Sequence, residues 1–184
     1  MKNNAATAEV AQPYAQALLS IAQSNNLTEE FGADARTLTN LISGSGELQS
    51  FLDNPFILPE NKKNLLKQLL GEGVNPYLRN FLLLLVDRKR ISFLEPILKQ
   101  YLALLRQLNQ TVLAEVTSAV ALTEAQVQTV KEKVLAITKA REVEIETKID
   151  TDLIGGVVIK VGSQVIDASL RGQLRRLSLR LTSN

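Results

Sequence analysis

The sequence predicts a mainly α chain: an N-terminal six-helix bundle over residues 1–108, then a small C-terminal α+β domain over residues 109–184. Three observations carry this. Apolar residues recur at helical spacing through the first hundred residues. The spacing changes to strict alternation just after Asn109. Apolar residues make up 45% of the chain but aromatics only 4%, with no Trp, so a sizeable core must be built from Leu, Ile, Val and Ala.

The first helix carries Val10, Tyr14, Ala17, Leu18 and Ile21 at helical spacing, with Pro13 marking either its first turn or a kink. A second helix starts after Thr28, read as its N-cap, and puts Phe31, Ala35, Leu38 and Leu41 or Ile42 on one face. Gly44-Ser45-Gly46 ends it, and a short helix covers Glu47 to Leu52. Asp53-Asn54-Pro55 breaks the chain. Pro59 then opens a helix through Leu65, Leu66, Leu69 and Leu70 that Gly71 stops, and Asn75-Pro76 opens a fifth through Leu85. The sixth runs from about Ser92 to Leu108, aligning Leu94, Ile97, Leu98, Tyr101, Leu102 and Leu105. The short connections imply an antiparallel bundle.

Gln107 to Gln110 reads as the linker. Beyond it, Val112, Ala114, Val116 and Val120 alternate with polar residues as a half-buried strand. Thr123 with Gln126 makes a capping box for a helix burying Val127, Val130, Val134 and Ile137. Val143, Ile145, Thr147 and Ile149 alternate with Glu142, Glu144, Glu146 and Lys148, a second strand with a solvated, mainly acidic face. Gly155-Gly156 leads into Val157 to Val161, Gly162-Ser163 is a tight hairpin turn, and Gln164 to Ile166 returns. The last helix is expected to bury Leu170, Leu174, Leu177 and Leu181. The order strand, helix, strand, hairpin, helix is that of a small α+β domain.

The chain has neither Cys nor His, which excludes thiol nucleophiles, Ser–His triads, imidazole acid–base work and the usual zinc sites. Gly44-Ser45-Gly46 lacks the rest of a phosphate loop, and Gly155-Gly156 precedes a strand, not a helix. Asp150 and Asp152 read as turn formers, with no further hard-metal ligands nearby. No catalytic, cofactor-binding or metal residue is therefore expected. The net charge of +2 requires no nucleic acid or anionic surface. The longest apolar run, Phe81 to Val86, is far too short to span a bilayer, and the N-terminus has no signal-type apolar stretch and few arginines beside Glu9.

Binding surfaces remain. Besides its core stripe, the first helix carries a run of small residues, Ala8, Ala11, Ala15 and Ala22, on a second face that lets another helix approach closely. The fifth helix is apolar all round from Phe81 to Val86, so it is either central or partnered. Between them, Ala8, Ala11, Tyr14 and Ala15 with Leu82, Leu85 and Val86 would make a groove for an amphipathic helix. On the last helix Arg171, Arg175, Arg176 and Arg180 lie opposite the leucines, either as a solvated face at a helix C-terminus or as a docking surface for an acidic partner.

The stretch from Ala11 to Leu18, AQPYAQAL, resembles the opening helix of the ATP synthase delta subunit (oligomycin-sensitivity-conferring protein) family, with its Tyr-Ala-x-Ala core. Ala114 to Ala119, AEVTSA, is similar to the family's interdomain strand. Asp152 to Ser169, DLIGGVVIKVGSQVIDAS, is similar to its C-terminal signature, with Ala168 where a Gly is common. The resemblance covers essentially the whole chain. It implies a non-catalytic peripheral-stalk (stator) subunit of an F-type ATP synthase, peripheral on the cytoplasmic or stromal face of a thylakoid or bacterial inner membrane. The bundle would hold N-terminal helices of alpha subunits. The C-terminal domain would hold b-type stalk subunits, which gives the four arginines a partner. A free-standing adaptor for amphipathic helices would share the groove without needing the C-terminal signature.

Overall fold

The computed structural model describes residues 4–71 and 73–182. The chain divides into two compact units, Met1–Leu105 and Arg106–Asn184.

The first unit is helical: α1 (Asn4–Ser24), α2 (Thr28–Gly44), α3 (Gly46–Asp53), α4 (Pro59–Leu70), α5 (Pro76–Asp87), a 3-10 turn (Ile91–Phe93) and α6 (Leu94–Leu108), whose last turn crosses the boundary. Local chemistry sets the ends. Pro59 and Pro76 occupy first-turn positions, where a missing N–H costs nothing. The Ser45 hydroxyl accepts from Leu48 N at 3.2 Å and the Asn75 Oδ1 from Tyr77 N at 3.0 Å, each capping a helix start. Gly71 stops α4 at φ +55°. Lys62 is buried and its Nζ donates at 2.6 Å to the Leu52 carbonyl in the last turn of α3, satisfying a carbonyl the helix leaves open.

Two start signals differ from the sequence reading. Thr28 is the first helical residue, not the cap. Leu27 holds the cap position; its aliphatic side chain has no atom that could accept a helix N–H, and it packs against the core. Pro13 lies well inside α1, on its exposed side, so the first-turn alternative gives way.

The larger difference concerns the two faces of α1. Ala11, Ala15, Leu18 and Ala22 are fully buried, while Ala17 and Ile21 are exposed and Val10 and Tyr14 half-buried. The small-residue face is the core face, and most of the expected core stripe lies on the flank beside it. Alanines win because a helix presenting them packs its backbone closest to its neighbours, filling space that larger side chains would overfill. The core also takes in Phe31, Leu78, Leu82, Leu85, Ile97, Leu98 and Tyr101. Burying one such aliphatic side chain stabilises the fold by about 1.5–3 kcal/mol.

The second unit holds β1 (Thr111–Ser118), α7 (Glu124–Thr138), β2 (Glu142–Ile149), a 3-10 turn (Thr151–Leu153), β3 (Val157–Val161), β4 (Gln164–Asp167) and α8 (Leu170–Thr182). The strand order is β2-β1-β3-β4, with β1 and β2 parallel and the other pairs antiparallel. A parallel pair needs a crossover, and α7 supplies it, starting from the Thr123–Gln126 capping box. Gly162 takes φ +57° at the first position of the two-residue β3–β4 turn.

The register puts Ala114, Val116, Val143 and Ile159 on one face, where with Val130 and Val134 of α7 they form the second core. The other face carries Glu115, Glu142, Glu144, Glu146, Lys148 and Lys160, with Lys160 Nζ 3.0 Å from Glu115 Oε1. Val120 was expected in β1 and Ile137 on the buried face of α7. Val120 lies past the strand's end, and both are exposed.

Candidate interaction surfaces

Among the residues expected to line a groove, Ala11 is 1% exposed, Ala15, Leu82 and Leu85 0%, and Val86 2%. These five are the bundle's interior and offer no surface to a partner. The side chain of Ala8 lies outside the described residues. Among the described members of the set Tyr14 alone reaches the surface, half-buried.

The two helices nevertheless meet at an apolar surface, where Tyr14 is joined by residues outside the expected set. On α1 the flank beside the buried alanines carries Val10, Tyr14, Ala17 and Ile21. On α5 the inward residues are Leu78, Phe81, Leu82, Leu85 and Val86, while Tyr77 and Leu84 lie beside Phe81 on the helix wheel and stay about half exposed. The flanks come together where the Tyr14 ring meets the Phe81 ring edge-on, centroids 6.5 Å apart. Arg90 adds its guanidinium 5.5 Å over the same Tyr14 ring. The apolar run Phe81 to Val86 therefore resolves into four inward residues, half-buried Leu83 and exposed Leu84, with the exposed Asn80 between Leu84 and the exposed Tyr77 along the helix.

In the second unit Arg171, Arg175 and Arg176 are exposed on α8, and Arg176 Nη2 lies 3.5 Å from the Asp167 carbonyl. The Arg180 side chain lies outside the described residues, as do those of Leu177 and Leu181. The expected burial of the leucine stripe fails where it is described: Leu170 is 47% and Leu174 59% exposed. One sheet face is covered by α7, and the other mixes Leu113, Val158 and Val165 with the charged residues, Val165 being itself 61% exposed. Leu170 lies against the bare backbone of Gly155, where an added Cβ would be 2.9 Å from its Cδ1.

The start of α8 is firmly built. Ser169 is buried, and its hydroxyl donates to Asp167 Oδ1 at 2.6 Å while accepting from Gly172 N at 3.0 Å. Asp167 Oδ1 also accepts from Ser169 N at 2.9 Å. The Ser169 bonds, and then the positive charge of Arg176, hold the Asp167 carboxyl below its ordinary value. Gly156, at φ +79°, lets the chain pass the Ala168 carbonyl, where any Cβ would collide with backbone. These contacts explain the Gly-Gly…Asp-x-Ser pattern as architecture. Asp150 likewise acts as a turn former, its Oδ1 accepting from Asp152 N at 3.0 Å.

Among the described residues no helix is long and apolar enough to cross a membrane, and no cluster of three or more acidic, His or Cys side chains could hold a metal.

A profile of the family described as ATP synthase delta (OSCP) subunit matches residues 10–181. The proteins named ATP synthase subunit delta from Trichormus variabilis and Nostoc punctiforme are 73% and 72% identical over 184 residues, covering all of both chains. The protein of that name from Synechocystis is 56% identical over 98% of each chain. In a cryo-EM structure of the Toxoplasma gondii mitochondrial ATP synthase hexamer, one chain shares the fold with a TM-score of 0.72, at 24% identity, over 94% of this chain and 97% of that one.

Proposed function

This chain belongs to the ATP synthase delta (OSCP) subunit family, and on that premise we propose that it joins the catalytic head of an F-type ATP synthase to its peripheral stalk. It is a structural stalk subunit, not a catalytic one. The task is to hold two partners while the rotor turns, so what matters is slow release across two interfaces, not turnover.

The first interface, on this reading, is the α1–α5 flank, taking the N-terminal helix of an alpha subunit. The observation that carries it is the apolar surface left exposed on the two helices that meet at the Tyr14–Phe81 edge contact, Ile21 on α1 and Tyr77 and Leu84 on α5. An amphipathic helix laid there covers apolar area that the monomer leaves in water. The second interface is α8, whose Leu170 and Leu174 lack a covering layer and whose Arg171, Arg175 and Arg176 flank them, taking the ends of b-type stalk subunits. In this role the protein works at the surface of an energy-transducing membrane, a thylakoid or bacterial inner membrane.

Calorimetric titration of an alpha-subunit N-terminal peptide onto the full chain tests the first interface. Leu84→Glu should abolish measurable binding and leave the circular dichroism spectrum unchanged, because Leu84 is not core. Binding at wild-type affinity would place the site elsewhere.

A further inference from the structure

The turn after α5 carries three cations in a row, Arg88, Lys89 and Arg90, all exposed. Among the described residues no carboxylate pairs with any of them, and the neighbouring Asp87 is taken by Lys63 at 2.6 Å. Cations at a helix C-terminus offset the macrodipole, which accounts for one or two of them. Two details ask for more. Arg90 does not turn toward the helix end: its guanidinium lies over Tyr14, at the floor of the apolar flank. Lys89 takes φ +54° in a position that ordinarily favours glycine, with Arg90 N bonded to the Leu85 carbonyl at 2.8 Å and Lys89 N to that of Val86 at 3.0 Å. Lys139 ends α7 at φ +55° in the same way, so the conformation alone marks no site; here it fixes the turn that carries the three cations.

We propose that Arg88, Lys89 and Arg90 form a cationic rim to the α1–α5 groove, so that its occupant is an amphipathic helix carrying carboxylates at the end that lies beside Tyr14. This rests on the groove reading above and adds the partner's charge and orientation to it. An apolar flank alone lets a helix slide or reverse. A rim charged at one end admits one orientation, because the reversed helix leaves its carboxylates over apolar side chains.

The test uses the full chain and an alpha-subunit N-terminal peptide, alongside a second peptide with each Asp and Glu replaced by Asn and Gln. Affinity for the acidic peptide should fall at least fivefold between 50 and 300 mM NaCl, because that salt shortens the screening length to below about 10 Å. Arg88→Gln/Lys89→Gln/Arg90→Gln should weaken binding about tenfold at low salt and flatten the salt dependence. The amide peptide should show the same loss with the wild-type chain and no further loss with the triple variant. Lys89→Gly separates recognition from folding: it should raise the melting temperature while weakening low-salt binding two- to fourfold. If the triple variant keeps wild-type affinity and salt dependence while Leu84→Glu abolishes binding, the rim is wrong and the groove stands. If Leu84→Glu changes nothing, the groove fails, and the rim fails with it.

Discussion

Tyr101 is fully buried in the bundle, and its hydroxyl donates to the Thr28 carbonyl at 3.2 Å. Burial, helped by the negative charge of Glu29 and opposed by Arg36, pushes its pKa up to about 12. An unfolded tyrosine titrates near 10. The folded state therefore keeps its proton where the unfolded state loses it. The contribution is complete below about pH 10 and is lost as pH rises toward about 12. Chemical denaturation followed by circular dichroism should show wild-type stability falling across that window. Tyr101→Phe should be less stable at neutral pH by about 1 kcal/mol, the loss of one buried hydrogen bond, and should fall less steeply with alkali. Equal slopes in both proteins would remove the assignment.

Elements show where sequence patterns suffice and where they do not. The capping box of α7, the prolines opening α4 and α5, the Gly162 turn and the run of strands are all legible, because each depends on residues within a few positions of one another. The face of α1 is not legible in the same way. Two apolar stripes, one large and one small, sit side by side, and hydrophobicity favours the large one. Which one is inward depends on how closely the neighbouring helices approach, and that is information the segment does not contain. The consequence is testable. Ala11→Glu puts a carboxylate into a dry, close-packed interface and should destabilise the bundle by several kcal/mol, read as loss of far-UV ellipticity. A folded variant that only loses partner binding would restore the opposite assignment of faces. The candidate site was legible only in part for the same reason: Ala11, Ala15, Leu82, Leu85 and Val86, expected to line a groove, are interior, and the apolar residues left at the surface of α1 and α5 lie on the flank beside them. At the other end of the chain, Asp167 and Ser169 act in series on α8, since Asp167 holds the hydroxyl that caps Gly172. Ser169→Ala should cost about 1 kcal/mol. Adding Asp167→Ala should cost less than its effect alone by the part carried through the hydroxyl, the Asp167 bond to Ser169 N being lost in either background, a coupling that a double-mutant cycle measures directly.

At the scale of the whole molecule, the change of period near Asn109 motivates a division of labour in stability. We expect a fragment of residues 1–108 to fold alone as a helical monomer. A fragment that is disordered by circular dichroism, or that assembles in analytical ultracentrifugation, would contradict this. The second unit is smaller and leaves Leu170 and Leu174 in water, so it should melt first in the intact chain, with the stalk partner raising its transition. The strand order has a different consequence, for the nascent chain on the ribosome. β1 lies inside the sheet, yet it is synthesised before both of its neighbours. Its parallel partner arrives only after α7, and its antiparallel partner is complete only at Val161. At about 5–20 residues per second, Ser118 waits several seconds for that pairing. Through that interval both edges of a Val-rich strand are unpaired, a template for a neighbouring chain on the same message. The bundle ahead of it is by then fully synthesised, and its helices form from local contacts before its longer-range ones, such as Tyr14 with Phe81, close. Translation pauses placed before Val161 should therefore raise aggregation of the second unit while leaving the first untouched.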